Sequence, residues 1–338
     1  MPASSSLLTS RRRRPPSAHP LFLKAACLLL GAGGLLRIAL VLSLRAATGT
    51  IVPFGFCGPN RKAPMSTLVL GDLHLKQPFI LPRLLGYVRD PELAVGRVVF
   101  LGDACDDWGA TERRALDALS YQADWVEARR SEGLRVDVLM GNHDLCYIRG
   151  RVGSGTMAGV MREVRDVLED RLHVQMATTV GSFLCCHAGI TQEWADEYLA
   201  EVDKTPADIA ACLNAMLCDS GQWAALDSAG ASRGGWQAPG PVWADVSDML
   251  YGALADLNQI VGHTPIARAG RLSLVGWEDG CAPEIWACDT FSLRRSGAAI
   301  GDGSMVLVED DGRPRRLAFP GEGGYDAVAR AVAAQREL

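Results

Sequence analysis

The stretch Ser66-Thr67-Leu68-Val69-Leu70-Gly71-Asp72-Leu73-His74 decides how this chain folds. A short run of apolar and β-branched residues leads straight into a glycine, a carboxylate and, two positions on, an imidazole. A run of that length reads as a buried strand, and the polar side chains after it fall on a loop at the strand's carboxyl end. The same grammar recurs in one order. Residues 98–101 lead into Gly102-Asp103-Ala104-Cys105-Asp106, and residues 136–140 into Gly141-Asn142-His143-Asp144. Residues 183–186 lead into His187-Ala188-Gly189, and Ile260-Val261 into Gly262-His263-Thr264. In open α/β sheets ligands gather outside the carboxyl ends of the strands. The pattern therefore brings carboxylates, imidazoles and one amide to a single place.

Those residue types suit two adjacent metal ions and an acid. Asp72 and His74 lie one residue apart, so an extended backbone points both to one face, where they can hold a first ion. Asp103 has two carboxylate oxygens and can bridge two cations. Asp106, three residues on, can orient an imidazole through its ring proton, whereas Asp107 reads as a solvated loop charge. Asn142 offers a neutral carbonyl oxygen to a second ion, and His187 and His263 complete it. His143 is adjacent to Asn142, points elsewhere, and has the ordinary pKa of a general acid for a leaving oxygen. Each motif alone has a plain reading as a turn, a surface imidazole or a core histidine. Their common order at strand ends weighs against that. His19 and His173 match nothing. Mixed oxygen and nitrogen ligation suits Mn, Fe or Zn, with Mn expected to serve in vitro.

Between the strands lie helical patterns. Thr111 begins a charged stretch in which Leu116, Leu119 and Trp125 can face a sheet. Residues 160–172 carry Val160, Val164, Val167 and Leu168 at helical spacing. Thr205-Pro206-Ala207-Asp208 reads as a helix start, and Ile209, Cys212, Leu213, Met216 and Leu217 follow as its packed face. Residues 219–242 read as a long loop over the site. Residues 272–277, 284–289 and 304–309 read as strands, and residues 325–336 as a terminal helix.

The charge is uneven. The whole chain of 338 residues carries a net charge of −5. Residues 1–64 hold nine Lys or Arg and no Asp or Glu, which leaves 25 basic against 39 acidic side chains in residues 65–338. An acidic body argues against a nucleic-acid partner. The division is therefore residues 1–64, a basic and apolar segment, and residues 65–338, the catalytic domain. Three readings of the first segment stay open: an over-extended translation start before Met65, a membrane anchor, or a cleaved signal. Its longest uncharged apolar run, residues 25–36, is shorter than the roughly 20 residues a spanning helix needs. The ten cysteines form no CxxC pair and read as reduced, which points to a cytoplasmic location for the domain.

Taken together, the five motifs resemble the calcineurin-like metallophosphoesterase superfamily, and within it the phosphoprotein phosphatase-like branch. The single histidine of Gly262-His263-Thr264-Pro265 carries the branch assignment. Residues 141–145 and 187–191 also resemble bacterial diadenosine tetraphosphatases. The resemblance spans about residues 65–310. It implies an α/β four-layer αββα sandwich of two mixed β-sheets flanked by helices. It implies Asp72, His74 and Asp103 on one ion, and Asp103, Asn142, His187 and His263 on the other. His143 would be the acid, paired with Asp106. The implied activity is hydrolysis of phosphomonoesters on a phosphorylated protein (serine/threonine type) or a small phosphoester, through a metal-bridging hydroxide. Two alternatives remain: a dinucleoside polyphosphate hydrolase stacking a base on Trp108, Trp236 or Trp243, and a catalytically weak phospho-recognition domain. One departure stands out. Asp107-Trp108-Gly109 occupies the place where these relatives carry an arginine for the substrate phosphate, and Asp245, in the stretch 241–245 that flanks the site, stands where a second is often found. Arg149, Arg151 and Arg233 are the candidate replacements, and spacing selects none of them.

Overall fold

The computed structural model describes residues 65–277 and 281–336. The anchor, signal and over-extended-start readings of residues 1–64 lie outside them, as do His19, Cys27 and Cys57. In chain order the first half comprises β1 Ser66–Leu70, α1 Gln77–Val88, β2 Val95–Phe100, α2 Glu112–Ser131, β3 Arg135–Val138, α3 Asn142–Arg149 and α4 Met161–Asp166, then β4 Ala177–Val180 and β5 Phe183–Cys186. The second half comprises α5 Gln192–Tyr198, α6 Pro206–Leu217, α7 Trp223–Leu226, α8 Val246–Gly252, β6 Gln259–Val261 and β7 Gly270–Arg271. It closes with β8 Ile285–Ala287, β9 Met305–Val308, β10 Pro314–Leu317 and α9 Gly324–Arg336.

Strand periodicity builds the layers. Along β1, Leu68 and Leu70 point into a core shared with α1 and α2, while Val69 points into a second core shared with the other sheet. Val98 and Phe100 against Val99 repeat this alternation on β2. All are fully or almost fully buried, and each such side chain contributes about 1.5–3 kcal/mol. A strand apolar on both faces must be covered on both, which forces a sandwich. One sheet runs β10-β9-β1-β2-β3, with β1, β2 and β3 parallel and β9 antiparallel to β1. The other runs β4-β5-β6-β8-β7, with β5, β6 and β8 parallel. Helices close both outer faces, α6 over β4 and β5 among them. This is the four-layer αββα arrangement. Arg97 of β2 ties the two sheets together. It pairs with Asp137 of β3 at 2.5 Å and donates to the Thr178 hydroxyl of β4 at 2.7 Å.

Several expectations need correction. Residues 160–172 are not one α-helix. A 3-10 turn precedes α4, and Val167–Leu172 is wound as a π-helix that ends at His173 in the left-handed region. Residues 272–277 are not a strand; β7 stops at Arg271, and Gly276 bends the chain with φ +83°. Residues 219–242 are not a structureless lid. They contain α7 and a 3-10 turn, and Leu226 is fully buried, so the segment is packed into the core. Helix α1 carries Pro82 inside it at the cost of a helical hydrogen bond; the burial of Ile80, Leu81 and Leu84 offsets that cost. By contrast α6 starts as expected, with the Thr205 side chain accepting from the Asp208 N–H. The eight described cysteines are all free, and Cys185 and Cys186 are buried on β5. Among the described residues no helix is long and apolar enough to cross a membrane.

Candidate metal centre

The site is assembled from the carboxyl ends of strands in both sheets. Asp72 follows β1, Asp103 follows β2, Asn142 and His143 open α3 after β3, and His187 and His263 follow β5 and β6. The loops are tied to one another by the ligands' own backbone. The His263 N–H donates to Asp72 Oδ1 at 3.1 Å, and the His143 N–H donates to Asp103 Oδ1 at 3.0 Å. Glycine is required where the loops cross: a Cβ on Gly141 would strike the Asp103 carboxylate, and one on Gly102, which sits at φ +112°, would strike the Gly141 backbone.

His74 does not follow the extended-backbone rationale. The chain turns after Leu73, placing His74 at φ +43° and Leu75 at φ +58°. The His74 imidazole still reaches the site. Its Nδ1 donates to the backbone carbonyls of Cys105 and Asp106, at 3.2 and 3.0 Å, which leaves Nε2 without a proton. That nitrogen lies 3.8 Å from both Asp72 Oδ2 and Asp103 Oδ2. His187 repeats the device: Nδ1 donates to the Leu101 carbonyl at 2.9 Å. Its Nε2 then faces Asn142 Oδ1 at 3.2 Å, His263 Nδ1 at 3.2 Å and Asp103 Oδ2 at 3.4 Å.

Lone pairs that converge in this way need a cation between them. Two clusters have ligand atoms all within 4.8 Å of one another: Asp72, His74 and Asp103, and Asp103, His187 and His263. Asp103 belongs to both. The Asp72 Oδ2 and His263 Nε2 atoms are buried and have no hydrogen-bond partner. Burial without a partner is costly for such atoms, and a pair of divalent ions satisfies both. The donor set fits the group.

The electrostatics agree. Burial holds Asp72 well above the usual carboxylate range, and the facing Asp289 adds to it. Burial disfavours charge on His187, yet the Asp103 and Asp72 carboxylates outweigh it and push this imidazole up to about 10. A pocket that holds a proton so firmly also attracts a divalent cation. Burial takes His74 down to about 4 and His263 well below its ordinary value. Both are therefore neutral, as a ligating imidazole must be, whereas His187 would give up its Nε2 proton to a bound cation.

His143 stands beside these clusters, edge-on to His74. Its Nδ1 donates to Asp106 Oδ2 at 3.0 Å, and Asp106 Oδ1 accepts from the Tyr147 hydroxyl at 2.5 Å. Burial opposes charge on His143, but Asp103 and Asp106 prevail and raise it to about 9. Asp107 is not a solvated charge: its carboxylate is nearly buried and pairs with Arg114 at 3.4 Å.

The cavity over these residues has a volume of about 350 Å³. Of the three candidate arginines, only Arg233 lines it. Arg149 and Arg151 are both paired with Asp227. Trp108 and Trp243 line the cavity; Trp236 does not and is almost wholly exposed. Several residues of the site escaped sequence reasoning. Asp144 accepts from the Gly141 and Cys105 N–H groups, each at 3.0 Å, and so joins two ligand loops. Buried Lys76 donates to the His74 carbonyl at 3.2 Å. Asp289 lines the cavity next to Asp72, and burial pushes it up to about 6 although the Ser292 hydrogen bond and Lys76 pull the other way. A signal for Asp289 was present: it ends the run Ile285-Trp286-Ala287-Cys288, another apolar strand closed by a carboxylate, but without the glycine.

No curated protein matches the sequence. Similar solved structures include a point mutant of a cold-active protein tyrosine phosphatase, 17% identical, covering 75% of this chain and 81% of that one with a TM-score of 0.43. The cold-active protein-tyrosine phosphatase of a psychrophile Shewanella species is likewise 17% identical, over 75% and 81% of the two chains, with a TM-score of 0.42. Residues 65–267 match the family described as calcineurin-like phosphoesterase. The chain belongs to the calcineurin-like phosphoesterases, a family of metal-dependent phosphoester hydrolases.

Proposed function

We propose that this protein hydrolyses phosphomonoesters at two divalent cations, with Asp72, His74, Asp103, Asn142, His187 and His263 as ligands and His143 as the general acid. The observation that carries this reading is the double membership of Asp103. Its Oδ2 lies 3.8 Å from His74 Nε2 and 3.4 Å from His187 Nε2, so one carboxylate serves both ligand clusters. Bound cations would supply a water of lowered pKa and stabilise charge on the phosphoryl oxygens. The mixture of carboxylate, amide and imidazole donors, without thiolate, suits Mn, Fe or Zn.

The chain's own side chains do the rest. Asp106 holds the His143 ring so that Nε2 faces the cavity, where it protonates the leaving oxygen. Arg233 binds the substrate phosphate in place of the arginine absent at residues 107–109. It sits on the 3-10 turn Ala231–Arg233, held by Asp245 at 2.8 Å and by the Thr264 hydroxyl at 2.9 Å. Arg233 lines the cavity, which brings its guanidinium charge to the place of the substrate phosphate.

The test is hydrolysis of p-nitrophenyl phosphate by the full chain with Mn²⁺ and then with chelator, beside His143→Asn. Chelator-sensitive turnover is expected. The variant should lose about 10²–10⁴ in kcat while retaining its metal. Loss of metal together with turnover would place His143 among the ligands. No turnover with two ions bound would overturn the reading and leave a phospho-recognition domain.

A further inference from the structure

Part of the cavity wall is apolar, and some of it comes from a segment outside the family match. After Asp289 the chain forms a hairpin arm: Ile300 donates to the Ser292 carbonyl at 3.0 Å, and Arg294 donates to the Ala298 carbonyl at 2.8 Å. The two legs of this arm place Leu293 and Ile300 on the cavity wall, beside Pro265. Near its tip, the Arg295 guanidinium lies 4.3 Å from the centre of the Trp108 ring. Trp108 lines the same cavity and is 51% exposed. A half-exposed indole held by a cation at the mouth of a polar cleft is not core packing. Apolar side chains facing a cleft mark the part of a ligand that they cover.

We infer that the 292–300 arm and Trp108 form a leaving-group subsite for an aromatic ring, so that the enzyme prefers aryl phosphomonoesters to alkyl ones. This rests on the phosphomonoesterase reading above and narrows it away from serine and threonine esters. The family match ends at residue 267, so the arm adds selectivity to a site whose ligands lie within the match. The geometry suits a ring in both position and size. With the phosphoryl group over the ligands and Arg233, the bridging oxygen meets His143 and the ring extends onto Leu293 and Ile300. A cavity of about 350 Å³ is at the small end for ligand sites and takes one phosphorylated ring, not two nucleosides with their joining phosphates. In the reaction the oxygen of a water bonds to phosphorus. The bond from phosphorus to the aryl oxygen breaks with its electron pair on that oxygen, which takes the His143 proton. The products are inorganic phosphate and a phenol.

The experiment compares kcat/KM of the full-length, Mn²⁺-loaded protein for matched phosphotyrosine and phosphoserine peptides, with diadenosine tetraphosphate as a third substrate. The phosphotyrosine peptide should lead by about tenfold or more, the scale on which an apolar pocket discriminates. In Trp108→Ala and in Ile300→Ser that ratio should fall towards one; because it is a ratio, partial unfolding of a variant cancels. Independently of turnover, phenylphosphonate should bind the metal-loaded wild type about tenfold more tightly than methylphosphonate, and the variants should lose this difference. A ratio near one in the wild type, or a ratio unmoved by both variants, would sink the inference while leaving the phosphomonoesterase intact. Faster turnover of the dinucleotide than of either peptide would also sink it. Absence of chelator-sensitive turnover on every substrate would instead defeat the underlying reading, and the phosphonate comparison would then decide the subsite alone.

Discussion

His74, Asp103, Asp106 and His263 all adopt left-handed backbone conformations, with φ of 43°, 48°, 60° and 65°. Non-glycine residues enter that region at a cost of about 1–3 kcal/mol each and stay there only when their surroundings hold them. The surroundings here are the crossed hydrogen bonds between ligand loops, so strain and ligand placement have one cause. The identities of these residues were legible because chemistry restricts the side chains; their conformations were not, because a sequence shows type and not φ. Asp106 links this placement to activity. As the proposed acid, His143 must be protonated, and in the metal-free protein its pKa is raised to about 9, with burial opposing and Asp103 and Asp106 raising it. Cations bound at Asp103 would offset part of that pull, so the falling limb of kcat should lie below pH 9. Asp106→Asn removes one of the raising carboxylates, so the falling limb should move to lower pH in a kcat profile; an unmoved limb would assign it to another group. Arg233→Ala removes a charged hydrogen bond to phosphate, and kcat/KM should drop by about 10- to 100-fold. A drop confined to kcat would argue against a role in binding substrate.

At the scale of elements, legibility followed the number of constraints on each segment. Strand β5 is buried at every position between two layers, so its composition admits nothing else, and β1, β2, β3 and β6 read nearly as well. Helix α6 announced itself through Thr205 and Pro206. The misses are segments whose conformation is set from outside. Helix α1 keeps Pro82 because three neighbouring apolar side chains are fully buried. The arm at 292–300 has no periodicity of its own and is anchored at its base, where the Ser292 hydroxyl donates to Asp289. The candidate phosphate arginine sits on a single 3-10 turn, too short to show a periodicity in the sequence. The link between sheets offers a test at this scale. Arg97 is the shared partner of Asp137 and Thr178, and Arg97→Met removes the link to β4 and leaves Asp137 with the more exposed Arg135 at 3.2 Å and Gln175 at 3.3 Å. A loss of about 2–3 kcal/mol is expected in denaturant unfolding, below the full figure for buried pairs because both groups retain some exposure. A loss under about 0.5 kcal/mol, the range of ordinary surface changes, would make the bridge incidental.

For the molecule as a whole, the two sheets each supply part of the candidate metal centre: Asp72, His74, Asp103 and Asn142 from one, His187 and His263 from the other. Cations bound between them act as rivets across the sandwich. Binding at 100 times the Kd of one site adds about 2.7 kcal/mol to stability. For a domain of this size chelation should then lower Tm by roughly 5–10 °C per site, as calorimetry would read; an unchanged Tm would mean that the ions do not join the sheets. The order of the first sheet carries a different consequence. Strand β1, at residues 66–70, is flanked by β9, at residues 305–308, and β9 by β10. During synthesis the ribosome delivers every chemical side chain of the centre well before it delivers the strand that covers the edge of β1. A nascent chain therefore carries a complete set of ligands beside an open apolar edge, the kind that recruits other chains. A message truncated near codon 300 would yield a polypeptide with all the catalytic groups and no soluble product.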